Sequence, residues 1–266
     1  MKKRITNIWI GLLLFIGIGC LLYPTAANWW NQLHQSYAIA SYMKITADEK
    51  VDYSTLKEEA RVYNEKLIDD TGRWNFTEEE EAEYVKLLSV TEDGILGCIE
   101  IPKINVSLPI YHGTEESILQ VAVGHMKGSS LPIGGEGTHS VLSGHTGLPS
   151  AKLFTDIDQL EIGDIFTVQV LDELLTYEVE RIVIVEPKEM EYLEIKEGKD
   201  YCTLLTCTPY GINTHRLLVR GERVENEKKI VATIADNMKN SWGIRIVILA
   251  VGGSVAVLIL RKIIVK

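Results

Sequence analysis

The sequence predicts a mainly β fold: a closed or nearly closed barrel of seven or eight short strands, behind a helical N-terminal region and between two apolar spans. Three observations carry this. Apolar runs occupy both extreme ends of the 266-residue chain. From Asn28 to about Val90, hydrophobic residues recur at helix spacing. From Gly94 onward, short β-rich runs alternate with turn-forming residues.

The first apolar run spans Ile8 to Tyr23, behind Lys2, Lys3 and Arg4. No small-x-small cleavage site directly follows it, and Tyr23 to Asn28 is a poor candidate for one. Residues 1–27 are therefore read as a basic tip and an uncleaved anchor, with a secretory signal as the alternative. The second run, Ile246 to Leu260, is closed by Arg261 and Lys262. It falls short of the roughly 20 residues that span a bilayer. Extension back to Trp242 makes up the length if Arg245 snorkels to the surface. Residues 242–266 are thus predicted as a C-terminal transmembrane helix with a basic tail, and residues 224–241 as a charged stalk. Basic flanks outside both spans put both termini in the cytoplasm and the middle of the chain outside the cell membrane. Trp29, Trp30 and Trp242 then fall near the outer interface, where indoles prefer to sit.

All 37 acidic residues lie in that middle part. Seven of the 27 basic residues lie in the ends, which leaves 20 against 37 and a net charge of −17 outside. Such a surface excludes nucleic acid as a partner, because phosphates need a basic footprint.

The helical region covers residues 28–93. Trp29, Leu33, Tyr37 and Ala40 share one spacing; Leu56, Ala60, Tyr63 and Leu67 share another. Thr55-Leu56-Lys57-Glu58 and Thr77-Glu78-Glu79-Glu80 both read as capping boxes. Between the helices they would open lies a loop, residues 69–76, carrying Trp74 and Phe76. The barrel covers residues 94–223. Its candidate strands are Ile95 to Ile101, Val106 to Ile110, Ser140 to Gly144, Ile165 to Val170, Leu174 to Val185, Tyr201 to Cys207 and His215 to Gly221. Pro102, Pro109, Gly134-Gly135, Gly163-Asp164, Pro187 and Pro209-Tyr210-Gly211 separate them.

The four cysteines form no disulfide framework. Cys20 is in the apolar run. Cys202 and Cys207 sit five residues apart on one strand, about 16 Å, beyond the roughly 7 Å that a disulfide tolerates. An exported chain thus carries an unpaired thiol at Cys207, at the end of a strand. If that strand pairs antiparallel with the next, Cys207 faces Arg216. A free thiol is only a few per cent ionised at pH 7. Arg216 would stabilise the thiolate or donate to the oxyanion of a tetrahedral intermediate. The bland reading is a surface arginine beside a buried cysteine. A general acid/base is also required, and histidine suits it. His34 is beside the membrane, and His215 points opposite to Arg216 by strand alternation. His145 ends a strand at the barrel rim and leads on position; His112, His125 and His139 remain as loop histidines.

These segments resemble one family. Thr203-Leu204-Leu205-Thr206-Cys207 matches the TLxTC signature of sortases. Thr208 to Leu217 looks like the pilus-type, class C members, and Leu142-Ser143-Gly144-His145-Thr146-Gly147 resembles the segment around the family's catalytic histidine. The resemblance runs from about Ile95 to Arg223. It implies an eight-stranded sortase β-barrel without cofactor or metal. It also implies Cys207 as nucleophile, His145 as general acid/base and Arg216 as substrate and oxyanion ligand, with Thr206 helping to bind substrate. The implied reaction cleaves an LPxTG-like signal between Thr and Gly through a thioacyl enzyme, then passes the acyl group to a lysine of another pilin subunit. Partners would be pilins or surface proteins with C-terminal sorting signals. Class C members usually carry an Asp-Pro-aromatic lid; residues 69–76 contain no proline, so Trp74 or Phe76 would have to cover Cys207. A wall-anchoring sortase, an exported cysteine hydrolase and a non-enzymatic anchored β-module are the competing readings.

Overall fold

The structure, a computed structural model, describes residues 2–48, 50–91 and 93–226. The predicted C-terminal span (242–266) and nearly all of the predicted stalk (224–241) lie outside the described residues.

Helix α1 runs Lys2–Thr46 without interruption. The sequence predicts an anchor followed by a separate helix; the structure joins them. Pro24 removes one backbone donor inside α1, yet Leu21, Leu22, Ala26 and Ala27 around it are strong helix formers. The second half of α1 is strapped to the barrel. Tyr42, fully buried, donates to the Leu96 carbonyl at 3.0 Å and accepts from the Leu171 N–H at 2.6 Å.

Helix α2 is Ser54–Ile68 and α3 is Glu78–Tyr84. The capping box predicted at Thr77 forms: its hydroxyl accepts from Glu80 N, and the Glu80 carboxylate accepts from Thr77 N. The one predicted at Thr55 does not, because α2 begins at Ser54 with Tyr53 as its N-cap, two residues earlier, and Thr55 falls inside the first turn. There the Asp52 carboxylate takes the Ser54 N–H at 2.9 Å, a local competitor for the same orphan donors. Asn64, buried on α2, exchanges two hydrogen bonds with the Leu131 backbone, which ties the helix to the barrel.

The barrel is closed by eight strands: β1 Ile95–Ile101, β2 Val106–His112, β3 Val123–His125, β4 Thr138–Ser143, β5 Ile165–Val170, β6 Glu173–Val185, β7 Asp200–Thr208 and β8 His215–Val224. Their order around the barrel is β1-β2-β3-β4-β7-β8-β6-β5. The β2–β3 and β4–β7 pairs are parallel and the rest antiparallel. A short helix, α4 (Glu116–Leu119), precedes β3.

Strand β3 is the one the sequence does not disclose. Three residues are too few to display a period of two, and its middle residue is Gly124. His112, His125 and His139, expected in loops, lie instead on β2, β3 and β4, and all three are buried.

Alternation along each strand sorts side chains into two apolar clusters. Leu142, Phe166, Val168, Tyr177, Leu204, Leu217 and Val219 fill the interior, with the Phe166 and Tyr177 rings stacked at 5.5 Å. Truncating one of these, such as Leu204→Ala, costs about 2–5 kcal/mol. Their neighbours Val141, Leu205, Leu218 and Val185 face outward and form a second, smaller cluster with Leu193 of the β6–β7 connection. Cys207 follows Leu205 by two residues and Arg216 precedes Leu218 by two, so both belong to that outer face.

Candidate active site

Strand pairing builds the site. Cys207 lies opposite Arg216 in the antiparallel β7–β8 register, as the sequence predicts. The parallel β4–β7 register sets Ser143 level with Leu205, and the Gly144 N–H continues it by donating to the Leu205 carbonyl at 3.0 Å. Two residues on from each, His145 and Cys207 are therefore neighbours on the same rim. The three sequence-predicted residues thus share one rim, where β4 and β7 end and β8 begins.

Two contacts hold the His145 backbone there. The Thr206 hydroxyl, buried, donates to the Gly144 carbonyl at 2.7 Å. The Phe154 N–H donates to the His145 carbonyl at 3.1 Å. Gly144 is needed as glycine, since a β-carbon would come within 2.7 Å of the Phe154 ring. Thr206, assigned a substrate contact from the resemblance, faces inward and spends its hydroxyl on Gly144.

The His145 imidazole is partly exposed. Its Nε2 sits 3.2 Å from the Glu116 carboxylate at the start of α4. The Gln120 amide, then His145, hold that carboxyl below its ordinary range. Sequence reasoning misses Glu116: it lies 29 residues before His145, and only the short helix ahead of β3 brings it to the rim. The Arg216 guanidinium donates to the carbonyls of Asn213 and His215, at 3.3 and 3.1 Å, so it lies folded against its own turn. His215 points elsewhere, its Nδ1 2.9 Å from the Thr214 hydroxyl.

A cleft of about 130 Å3 beside Arg216 is lined by Met126, Ser143, Val185 and Leu205 among others. Two larger clefts, about 390 and 490 Å3, flank α2 and contain none of the three rim residues. Loop 69–76 reaches the outer cluster. Arg73 is buried and donates to the Leu193 carbonyl at 3.0 Å, with its guanidinium 4.6 Å over the Trp74 ring. Trp74, like Met126, Met190 and Leu205, packs against the cluster of Val141, Val185, Leu193 and Leu218. Gly128, at φ +84°, lets the loop approach: a β-carbon there would lie 2.2 Å from the Arg73 carbonyl oxygen. Phe76 goes elsewhere, edge-on to Tyr84 at 5.9 Å, against the main core.

The other barrel histidines are structural. His125 bonds Tyr84 and the Ser130 carbonyl, and burial pushes it down to about 3. His139 bonds the Glu194 carbonyl and the Thr203 hydroxyl, and burial pushes it down to about 4. Among the described residues, no three His, Cys, Asp or Glu side chains gather as a metal site would require.

Residues 99–224 match the sortase domain. A crystal structure of sortase C1 from Streptococcus agalactiae is similar at 50% identity and a TM-score of 0.69, covering 72% of this chain and all of that one. A Clostridium perfringens sortase C, solved with the C-terminal cell wall sorting motif, is similar at 45% identity and a TM-score of 0.62, over 72% of this chain and all of that one. Sortase D of Bacillus subtilis is 34% identical over 131 residues, 48% of this chain and 63% of that protein. With such identity spread over the whole of a solved sortase C, and with a sortase domain matched across the barrel, the chain belongs to the sortase family of cysteine transpeptidases, and its structural neighbours are the class C, pilus-type members.

Proposed function

We propose that this chain is a membrane-anchored transpeptidase that polymerises pilins. The observation that supports the reading is the common rim of β4, β7 and β8, which carries Cys207, His145 and Arg216. Helix α1 supports the anchor, since Gly11–Thr46 includes a stretch long and apolar enough to cross a membrane. The extracytoplasmic barrel and cytoplasmic termini follow from the basic flanks of both apolar runs.

An LPxTG-like signal enters the cleft beside Arg216. Cys207 Sγ, as thiolate, attacks the Thr carbonyl carbon, and the C=O electrons move onto oxygen. Arg216 swings from its own turn to donate to that oxyanion, which develops only in the transition state. The C–N bond to Gly breaks as His145 gives the leaving amine a proton, and a thioester to Cys207 remains. A lysine amine from another pilin, deprotonated by His145, attacks this thioester; the isopeptide bond forms and the thiol is released. Thr206 positions His145 through Gly144, and Trp74 covers the groove as a lid in place of an Asp-Pro-aromatic motif.

Mass spectrometry of the enzyme with pilin subunits tests this. The expected products are an acyl adduct on Cys207 and a Lys-linked isopeptide. Hydrolysis alone at saturating pilin overturns polymerisation in favour of the hydrolase reading. Transfer to a wall-precursor amine but not to pilin lysine favours the wall-anchoring one.

A further inference from the structure

The contacts along α1 follow an order with a consequence for the membrane. Nearest the apolar run, Asn28 accepts from the Lys152 N–H at 3.0 Å and Asn31 donates to the Ser150 carbonyl at 2.8 Å. Both partners lie in the loop between His145 and Phe154. Gln35 comes next, donating to the Val121 carbonyl at 2.7 Å, just ahead of β3, whose Gly124 pairs with Ser143. Only Tyr42 reaches the start of β1 and the end of β5, at Leu96 and Leu171. These lie at the far end of the barrel. Thus α1 leaves the apolar run at the catalytic rim and runs away from it.

Distances place that rim. At about 1.5 Å per residue, Asn28 lies roughly 7–8 Å along the helix beyond Tyr23. That is about the depth of one headgroup layer, half the difference between the hydrocarbon core and the full bilayer. Trp29 and Trp30, 54% and 57% exposed, sit at the same level, where indoles partition. The turn between β7 and β8 adds an aromatic and an aliphatic side chain: Tyr210 and Ile212 are 68% and 69% exposed. The Tyr210 ring packs over Gly147, which has φ +76°, next to the loop that Asn28 and Asn31 hold. Isolated exposed apolar residues are ordinary; these gather on the rim that the anchor ties down.

We propose that the catalytic rim rests on the outer surface of the bilayer, with Tyr210 and Ile212 entering the lipid interface beside Trp29 and Trp30. This rests on α1 being a membrane anchor. Its consequence is a preference for substrates that are themselves membrane-tethered, since the mouth beside Cys207 opens at the depth where their signals emerge.

The full chain is reconstituted into phosphatidylcholine–phosphatidylglycerol vesicles in a Cys20→Ser, Cys207→Ala background. Single nitroxides are attached at Leu14→Cys, Ile212→Cys and Glu136→Cys, and their depth is read from collisions with oxygen against a water-soluble nickel chelate. Position 14 is expected deep in the hydrocarbon, 212 at the interface and 136, before β4 at the opposite end of the barrel, in water. If 14 is deep while 212 matches 136, the apposition is wrong and the anchor stands. If 14 is also aqueous, both fall. With Cys207 restored, the Tyr210→Ser, Ile212→Ser variant is expected to lose several-fold in rate on a lipid-tethered sorting peptide and to keep its rate on the soluble peptide. Equal loss on both substrates, or no loss on either, overturns the proposal.

Discussion

Strand β7 carries a cysteine towards each end, and each has a histidine nearby, His139 on β4 and His145 two residues past its end. At the inner end, Cys202 is fully buried and lies opposite Ser140, one residue after His139. Burial pushes its thiol well above the ordinary range, and His139 is occupied by the Glu194 carbonyl and the Thr203 hydroxyl. At the rim end, Cys207 is half-buried on the outer face with Arg216 across from it, and His145 is partly open to solvent. The residue types are the same, and both cysteines share one strand. Depth and alternation differ: one thiol points into the core as a small hydrophobe, and the other points out beside a fixed positive charge. A cysteine becomes a nucleophile where its thiolate is stabilised and can be reached.

The strongest way to break this contrast is to remove each thiol in turn. Cys207→Ala is expected to lower isopeptide formation by about 10^4-fold or more, the scale on which removing a nucleophile acts. Cys202→Ala should leave the rate within about twofold while costing about 1 kcal/mol of stability. A comparable loss of rate from Cys202→Ala would dissolve the distinction. Next, Arg216→Lys keeps the charge but loses the planar fork; a fall of about 10^2-fold is expected if it serves the oxyanion, and near-normal turnover removes it from the site. Thr206→Val deletes the bond to Gly144 and frees the residue that carries His145. Stability should drop by about 1 kcal/mol and kcat by about tenfold, the scale of a lost positioning contact. An effect on KM alone would return Thr206 to substrate binding.

Smaller effects concern what surrounds the two ends. Trp74→Gly should speed labelling of Cys207 by a sorting peptide about threefold, if covering the groove costs well under 1 kcal/mol; unchanged labelling denies it a lid role. The buried histidines predict a pH dependence. Folded His139 takes its proton only near pH 4 and His125 near 3, against about 6.5 when unfolded. The unfolded chain therefore binds more protons as pH falls below about 6.5, and stability should decline from there towards pH 4 and continue towards 3. Above pH 6.5 these two groups add no slope. Thermal melts of His139→Gln should show a shallower acid decline, and an unchanged slope would place the titration elsewhere.

Much of this was legible in the chain. Seven of the eight strands, the apolar run that becomes the first half of α1, and the Cys207–Arg216 opposition all follow from local alternation and turn residues. The eighth strand did not, because Val123–His125 is held by its neighbours rather than by its own pattern. The buried status of His112, His125 and His139 was hidden for the same reason: an imidazole among polar and apolar neighbours looks alike in a loop and in a core.

The cysteine at a strand end and its arginine across a tight connection were legible in the sequence alone, since both depend on contacts within a few residues or on period-two alternation, whereas the rim histidine only led on position and was singled out by the family resemblance. That His145 stands level with Cys207 was decided only by the tertiary structure, because a parallel β4–β7 pairing joins segments over 60 residues apart and no local signal sets its register. The same holds for Thr206 bonding Gly144, for Glu116 facing His145, and for α1 lying with its membrane end at the catalytic rim. Long-range register and docking choose partners by burial across the whole barrel, and only the folded chain contains that information.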